Sequence, residues 1–93
     1  MDNLVIGGFA VSRAGHDFGK LYVIFYIDNE YVYLVDGKIR TLDRPKKKKI
    51  KHIKVLDRFD ISLTKKVADR SVKNEEIKRA IKLLRSEITK KEA

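Results

Sequence analysis

Residues 15–20 of the chain read Gly-His-Asp-Phe-Gly-Lys, with two glycines four positions apart and a lysine directly after the second. This stretch joins a short run of mixed apolar and polar residues, 9–13, to a run rich in β-branched and aromatic residues, 20–27. Because glycine adopts a positive φ at little cost, a glycine at each end of the stretch predicts a tight loop. The stretch therefore predicts two short strands connected by a loop.

Three further strands are predicted at 31–35, 38–42 and 50–56. A turn at 28–30 precedes the first of them, and Asp36-Gly37 predicts a two-residue type I′ hairpin before the second. The segment 43–49 is predicted to be a loop because it contains the only proline, which cannot donate a hydrogen bond to a strand ladder. Five short strands without a helix between them predict a mainly β fold, a small five-stranded antiparallel barrel.

The C-terminal part of the chain has the periodicity of an α-helix. Its apolar residues recur with the spacing of a single helical stripe, formed by Ile77, Ala80, Ile81, Leu84 and Ile88. The main helix is predicted at about 75–89, with Asn74 as its N-cap. A shorter helix is predicted around 60–69, with Asp60 or Ser62 as its N-cap.

The predicted organisation is a barrel over residues 1–57 and a helical C-terminal extension over residues 58–93. The apolar stripe has two interpretations: it packs back onto the barrel, or it docks into a groove of a partner protein. Packing is the default interpretation because such a stripe is normally part of a core. The opposite face of the helix is a second basic surface, with Lys78, Lys82, Arg85 and Lys90.

The positive charge of the chain is concentrated in one segment. The formal net charge is +9, yet residues 1–43 carry more acidic than basic side chains. Residues 44–58 carry eight Lys/Arg against one Asp/Glu, and the remainder carries a smaller basic excess. Charge that serves only solubility needs no such concentration. The distribution therefore favours binding to a polyanion.

The composition and the first residues exclude several classes of function. The chain has no cysteine, which excludes disulfides and cysteine-ligated metal sites. No apolar run approaches the length of about 18 residues that a transmembrane helix needs. Residues 1–6 lack the pattern of a signal peptide, so a cytoplasmic location without membrane association is expected.

No pattern of catalytic or metal-ligating residues is present. His16 and His52 are far apart and have no cysteine or second histidine near them, so no metal site is predicted. Local backbone roles in turns are expected for the four aspartates near predicted turns, Asp17, Asp28, Asp36 and Asp43. Without a catalytic triad or a phosphate-binding loop, the chain is expected to be no enzyme and to need no cofactor.

The strand–loop–strand pattern resembles a known motif. Residues 11–23, with Gly15, Gly19 and Lys20, resemble the KOW motif, the signature of a family of SH3-like RNA-binding barrels. The longer run from Gly15 to Arg40 is similar to the family of large-subunit ribosomal protein fourteen of the eukaryotic and archaeal type. Residues 44–52 complete the pattern of the short bacterial KOW-domain proteins related to it, and the resemblance covers about residues 8–56.

The resemblance implies an SH3-like barrel, RNA as ligand, association with ribosomal RNA or the large subunit, and ribosomal proteins as further partners. It also implies RNA contact by the loop residues Arg13, Gly15, His16 and Lys20. The charge pattern adds the basic run Arg44, Lys46, Lys47, Lys48, Lys49, Lys51, His52 and Lys54. Lys38 and Arg40, at alternate strand positions, extend this surface. Lysines act as point charges, so contact with the RNA backbone is expected more than reading of bases.

An alternative function is a protein-interaction module, an SH3-like barrel that uses an aromatic groove or the C-terminal helix. Tyr22 with Tyr26, and Tyr31 with Tyr33, are predicted to share one face, where they either stack on bases or pair with each other across the hairpin. Cross-strand pairing is the preferred interpretation. Core or core-edge positions are expected for Phe9, Phe18, Phe25 and Phe59. The free protein is expected to be a monomer.

Overall fold

The computed structural model describes residues 4–92, with side chains described through Ile88. The strands are β1 (Phe9–Ser12), β2 (Leu21–Asp28), β3 (Tyr31–Val35), β4 (Lys46–Lys49) and β5 (Ile53–Val55). A 3₁₀ turn (Ile50–His52) separates β4 from β5, and two helices follow, α1 (Ile61–Ala68) and α2 (Asn74–Glu92). All strand pairs are antiparallel, in the order β4-β3-β2-β1-β5. The predicted small β domain with a helical tail is confirmed at this level.

The strands bury apolar side chains on both faces of the sheet. Alternate residues of a strand point to opposite faces, so β1, β2 and β3 each contribute to two apolar clusters. The first cluster contains Phe9, Val23 and Val35 from the sheet together with Leu63, Val67, Val72, Ile77, Ala80, Ile81 and Leu84 from the helical part. The second contains Ala10, Tyr22, Ile24, Val32, Leu34 and Ile53, all from the strands. The helices therefore cover one face of the sheet, and the second cluster lies on the other face.

The two helices begin close to the predicted positions. The Asp60 carboxylate accepts a hydrogen bond from the Leu63 N–H at 3.1 Å, which confirms Asp60 as the N-cap of α1. At α2 the Glu76 carboxylate instead accepts from the Lys73 N–H at 2.9 Å, half of a capping box. Neither helix, within residues 4–92, is long and apolar enough to cross a membrane.

Asn74 was predicted to cap α2, and this prediction was wrong. Its side-chain Oδ1 accepts a hydrogen bond from the Leu42 N–H at 2.9 Å, so it holds a distant loop and not the helix terminus. The stripe from Ile77 to Leu84 packs against the sheet, and Ile88 borders the same cluster. Packing onto the sheet is thus the correct interpretation of the stripe.

The strand predicted at 38–42 is absent, and a compact turn takes its place. The Asp36 Oδ1 accepts hydrogen bonds from the N–H groups of Lys38, Ile39 and Arg40 at 2.8–3.0 Å. The N–H groups of Asp36 and Gly37 both donate to the Arg40 carbonyl, which closes the turn on itself. These bonds use the backbone groups that a strand ladder would need, so the prediction of a type I′ hairpin followed by a strand was wrong.

Gly37 holds this turn against α2. Its φ is +78°, a backbone conformation that residues with a Cβ rarely adopt. A Cβ built at this position would lie 2.3 Å from the Asn74 carbonyl oxygen and 2.9 Å from the Lys78 nitrogen. The close approach of two backbones therefore requires glycine here and places the turn beside the helix.

The segment predicted as a loop, 43–49, contains a strand. Lys46–Lys49 forms β4, which pairs with β3 in the register Tyr31↔Lys49 and Leu34↔Lys46. Lysine is common on edge strands because its charge opposes pairing with further chains. The strand predicted at 50–56 is shorter than expected, since its first three residues form the 3₁₀ turn and only Ile53–Val55 pairs with β1.

Candidate nucleic-acid interface

The two-glycine loop, residues 13–20, is held by its own backbone. The Gly19 N–H donates to the Ser12 carbonyl at 2.8 Å, and the Ser12 N–H donates to the Lys20 carbonyl at 3.0 Å. Within the loop the Phe18 N–H donates to the Gly15 carbonyl at 3.2 Å. Gly15 and Gly19 have φ values of +84° and +86°, as the sequence predicts. The loop is thus a closed turn with a defined conformation.

Asp17 is the anchor of this loop. Its side chain is only 7 % exposed. The Asp17 Oδ1 accepts from Ser12 Oγ at 2.8 Å and from Lys48 Nζ at 2.8 Å, while Oδ2 accepts from the Tyr22 hydroxyl at 3.0 Å. Lys46 Nζ forms an ion pair with Oδ2 at 3.4 Å. Asp17 was predicted to have only a local turn role, but it joins the loop to β1, β2 and β4.

These contacts determine the charge of the site. Burial alone would raise the pKa of Asp17, but the hydrogen bonds from Lys48, Ser12 and Tyr22, with the charge of Lys46, hold it well below its usual range. Burial, and next the hydrogen bond to Asp17, raise the pKa of the Tyr22 hydroxyl well above its usual value. Asp17 is therefore ionised and Tyr22 is neutral at physiological pH.

The lysine run is divided by the alternation of β4. Lys46 and Lys48 point to the side of the sheet where Asp17 lies, and Lys48 Nζ also donates to the Ala14 carbonyl at 2.8 Å. Lys47 points the other way and lies over the Tyr31 ring, 4.3 Å from its centroid, and Lys49 is exposed on the same outer side. Two of the four lysines are thus bound to the two-glycine loop.

A groove with basic walls lies at this end of the sheet. Its first part, of about 170 Å³, is lined by Asp17, Tyr22, Asp36 and Ile39 together with the basic residues His16, Lys20, Arg40 and Lys46. Its second part, of about 400 Å³, runs towards α2 and is lined by Lys20, Leu21, Asp36, Lys38, Lys78, Ile81, Lys82 and Arg85. Lys20 and Asp36 line both parts, so we treat the two as one surface, the basic groove.

Four segments contribute cations to the basic groove: the two-glycine loop, the turn at 36–40, β4 and α2. The two carboxylates in its walls are already engaged. Asp17 is paired with Lys46 and Lys48, and Asp36 accepts three N–H groups of its own turn. The groove therefore keeps a positive excess that a polyanion can neutralise.

The structure places the predicted site residues in three groups. His16, Lys20, Lys38, Arg40 and Lys46 line the basic groove. Lys48 supports the groove through its bond to Asp17, and Gly15 lies beside this pair, since a Cβ built there would be 3.7 Å from both Asp17 Oδ1 and Lys48 Nζ. The other predicted residues line neither part of the groove in the portion of the chain that the structure describes: Arg13, Arg44, Lys47, Lys49, Lys51, His52 and Lys54.

Part of that third group lies along the β1–β5 edge. The Arg13 N–H donates to the His52 carbonyl at 2.8 Å, and Lys54 lies opposite Val11 in the ladder. The face of α2 opposite its apolar stripe contributes Lys78, Lys82 and Arg85 to the groove. This face was expected to be a second basic surface. The side chain of Lys90 lies outside the described residues.

The tyrosines do not form the predicted common face. An irregularity in the register of β2 between Ile24 and Tyr26 moves Tyr26 to the face opposite Tyr22. Tyr22 is buried beside Asp17, whereas the Tyr26 and Tyr33 rings pair on the outer face with their centroids 5.9 Å apart. Cross-strand pairing is confirmed for Tyr26 and Tyr33, and the sequence carries no local signal for the bulge.

Among the phenylalanines, Phe9 is buried and Phe25 borders the first cluster, as expected. Phe18 and Phe59 are exposed and neither belongs to nor borders the two clusters of the described residues, so the expectation of a core or core-edge position was wrong for both. Among residues 4–92 no group of three His, Asp or Glu side chains is arranged to hold a metal ion.

Comparison with protein-family models and with curated proteins found no match to this chain. The resemblance to the KOW family therefore stays a prediction. Any functional assignment depends on the geometry and charge described above.

Proposed function

We propose that the protein is a non-catalytic RNA-binding protein of the SH3-like KOW type, and that RNA backbone lies in the basic groove. The observation that carries this proposal is the convergence of cations from four separate segments on one groove. The KOW resemblance adds ribosomal RNA, and with it the large ribosomal subunit, as the expected target.

The chemistry of the groove suits phosphate. Lys20, Lys38, Lys78 and Lys82 supply point charges that release counterions from a nucleic acid. Arg40 and Arg85 supply planar guanidinium groups that can hold a phosphate with two hydrogen bonds. Such contacts fix the position of a strand without reading its sequence.

Two features support the finer assignment of the fold as an SH3-like barrel. The strands are five, short and antiparallel, and the buried residues of one cluster all come from strands. The edge strands β4 and β5 are consecutive, with only Ile50–His52 between them. A 3₁₀ turn of this length advances about 6 Å, which keeps the two edges of the sheet near each other.

The first test compares two doubly substituted proteins of equal charge. Lys20→Gln/Lys82→Gln removes two exposed cations from the basic groove. Lys65→Gln/Lys73→Gln removes two exposed cations that do not line it. RNA affinity is measured by fluorescence anisotropy over a salt series.

We expect the affinity of the groove variant to fall about tenfold, and its plot of log K against log salt to become less steep by about 1.4. The affinity of the control variant should fall less than threefold. Equal losses for both variants would show that only net charge matters and would contradict a site in the groove. Both pairs are exposed, so both variants are expected to fold normally.

The ribosomal target is tested by co-sedimentation with ribosomal subunits over the same salt series. Migration with the large subunit at low salt, lost steeply as salt rises, is the expected result. Binding to RNA without co-sedimentation would remove the ribosome from the proposal and leave the groove in place.

A second candidate function is a protein-interaction module, and one observation favours it. Tyr26, Tyr31, Tyr33 and Lys47 form an outward-facing aromatic and basic patch on the opposite side of β4 from Asp17. Tyr26→Ala/Tyr33→Ala should abolish capture of a protein partner under this function. The same variant should leave RNA affinity unchanged if the basic groove is the RNA site.

A further inference from the structure

Phe18 is an apolar residue without a role in the core. Its side chain is 72 % exposed, and neither apolar cluster of the described residues includes it. Full exposure of a phenylalanine forgoes the stabilisation that burial of its ring would give. Packing in the core therefore does not explain why a phenylalanine occupies this position.

Hydrogen bonds hold the loop backbone on both sides of the exposed Phe18. The Phe18 N–H is bonded to the Gly15 carbonyl, and the next residue, Gly19, is bonded to the Ser12 carbonyl. Asp17, directly before it, is buried and held by three hydrogen bonds. The backbone on both sides is therefore ordered, and little conformational entropy is lost when the ring contacts a ligand.

Phe18 lines neither part of the basic groove itself, but it lies in the chain between two residues that do. His16 and Lys20, two positions away on either side, line the basic groove. Ile39, which is 66 % exposed, belongs to the turn at 36–40 and lines the same part of the groove. An exposed aromatic ring next to cations that follow a phosphate backbone is the arrangement on which unpaired bases stack.

We propose that Phe18 stacks on an unpaired base, so that the preferred ligand of the basic groove is RNA with a single-stranded nucleotide in a loop, bulge or end. This inference depends on the proposed function. In an A-form duplex the neighbouring base pairs cover both faces of each base, and the deep, narrow major groove does not admit side chains. A ring at the tip of the two-glycine loop therefore discriminates against fully paired RNA.

The test uses two synthetic RNAs, a hairpin with a single-stranded loop and the fully paired duplex of the same stem. Phe18→Ala should lower affinity for the hairpin about tenfold, because stacking on one base commonly contributes a factor of about 5 to 150. Affinity for the duplex should change less than twofold. Phe18→Leu should resemble the alanine variant, because leucine is apolar but offers no ring.

A spectroscopic measurement reports stacking directly. The chain contains no tryptophan, so Phe18→Trp introduces a single tryptophan, whose emission is excited selectively at wavelengths that the four tyrosines do not absorb. Its fluorescence should be quenched by the hairpin and not by the duplex, with hairpin affinity retained. The matched control is Phe59→Trp, because Phe59 is 46 % exposed but lies near Phe9, at the far end of β1 from the two-glycine loop.

Each outcome separates this inference from the proposed function. If Phe18→Ala affects hairpin and duplex equally, or neither, stacking is wrong, while the groove remains supported by the loss in Lys20→Gln/Lys82→Gln. If the groove variant also binds both RNAs normally, the proposed function itself fails. Retention of affinity by Phe18→Leu would contradict stacking and indicate apolar contact alone.

Discussion

The two faces of β4 carry the same residue type in two different situations. Lys46 and Lys48 face Asp17, and the Lys48 side chain is only 10 % exposed. Lys47 and Lys49 face outward, where Lys47 lies over the Tyr31 ring. The four lysines are consecutive, so nothing in their local sequence distinguishes them except the alternation of a strand.

This comparison shows that a basic run is not a uniform binding surface. The inner pair neutralises a buried carboxylate and ties β4 to the two-glycine loop, which is a structural role. The outer pair is available to solvent and ligands but lies away from the basic groove. Substitutions on the two faces should separate these roles, and the largest effect is expected where the inner pair is broken.

Lys48→Met should lower the free energy of unfolding by about 2–3 kcal/mol, because it leaves Asp17 buried with one charged partner fewer. Lys47→Met, the matched control on the outer face, should change it by about 0.5 kcal/mol or less. Urea denaturation of both variants at neutral pH measures the difference. Equal effects would mean that the inner ion pair contributes nothing to stability.

Asp17→Asn should lower stability by about 2 kcal/mol at neutral pH and make it less dependent on pH. The folded-state pKa of Asp17 lies below its unfolded value, so its contribution is present above about pH 4 and is lost as pH falls through the folded pKa. The difference in the free energy of unfolding between wild type and variant should therefore become smaller below about pH 4. Denaturation at pH 7 and near pH 3 checks this, and a gap that stays constant would contradict the ion-pair explanation.

Lys47→Gln/Lys49→Gln should lower RNA affinity less than threefold, against about tenfold for Lys20→Gln/Lys82→Gln. The reason is that the outer pair does not line the groove. Anisotropy at one fixed salt concentration is sufficient for the comparison. A larger loss for the outer pair would move the RNA path onto the face that carries Tyr31 and Tyr33.

The contact between Lys47 and Tyr31 should have a coupling free energy of about 0.5 kcal/mol, as expected for a cation–π pair near the surface. A double-mutant cycle with Lys47→Met and Tyr31→Leu measures it. The control cycle combines Tyr31→Leu with Lys48→Met, which lies on the other face, and should show no coupling. Coupling in both cycles would indicate a general effect on β4.

Much of the architecture could be predicted from local patterns. The two-glycine loop, β1 to β3, the cap at Asp60 and the packing stripe of α2 follow from period, turn residues and capping chemistry. Each of these depends on residues close together in the chain. The basic groove could be predicted only in part, because the segment 44–58, where the positive charge is concentrated, contributes Lys46 alone to its lining.

The errors occurred where hydrogen bonding or packing of the backbone, from a neighbouring side chain or from a distant segment, decided the outcome. The run Lys38–Leu42 has the composition of a strand, but Asp36 binds its N–H groups and Gly37 holds the turn against α2. The lysine run resembles a loop, but pairing with β3 makes it a strand. In both cases backbone hydrogen bonding overrode local propensity.

The sequence by itself determined the strand-rich first half, the two helices and the positive charge, because periodicity, caps and composition are local properties. Only the tertiary structure decided which lysines bind Asp17, which tyrosine is buried and where Phe18 points. Strand register and the bulge in β2 assign each side chain to a face, and both are set by pairing between segments far apart in the chain.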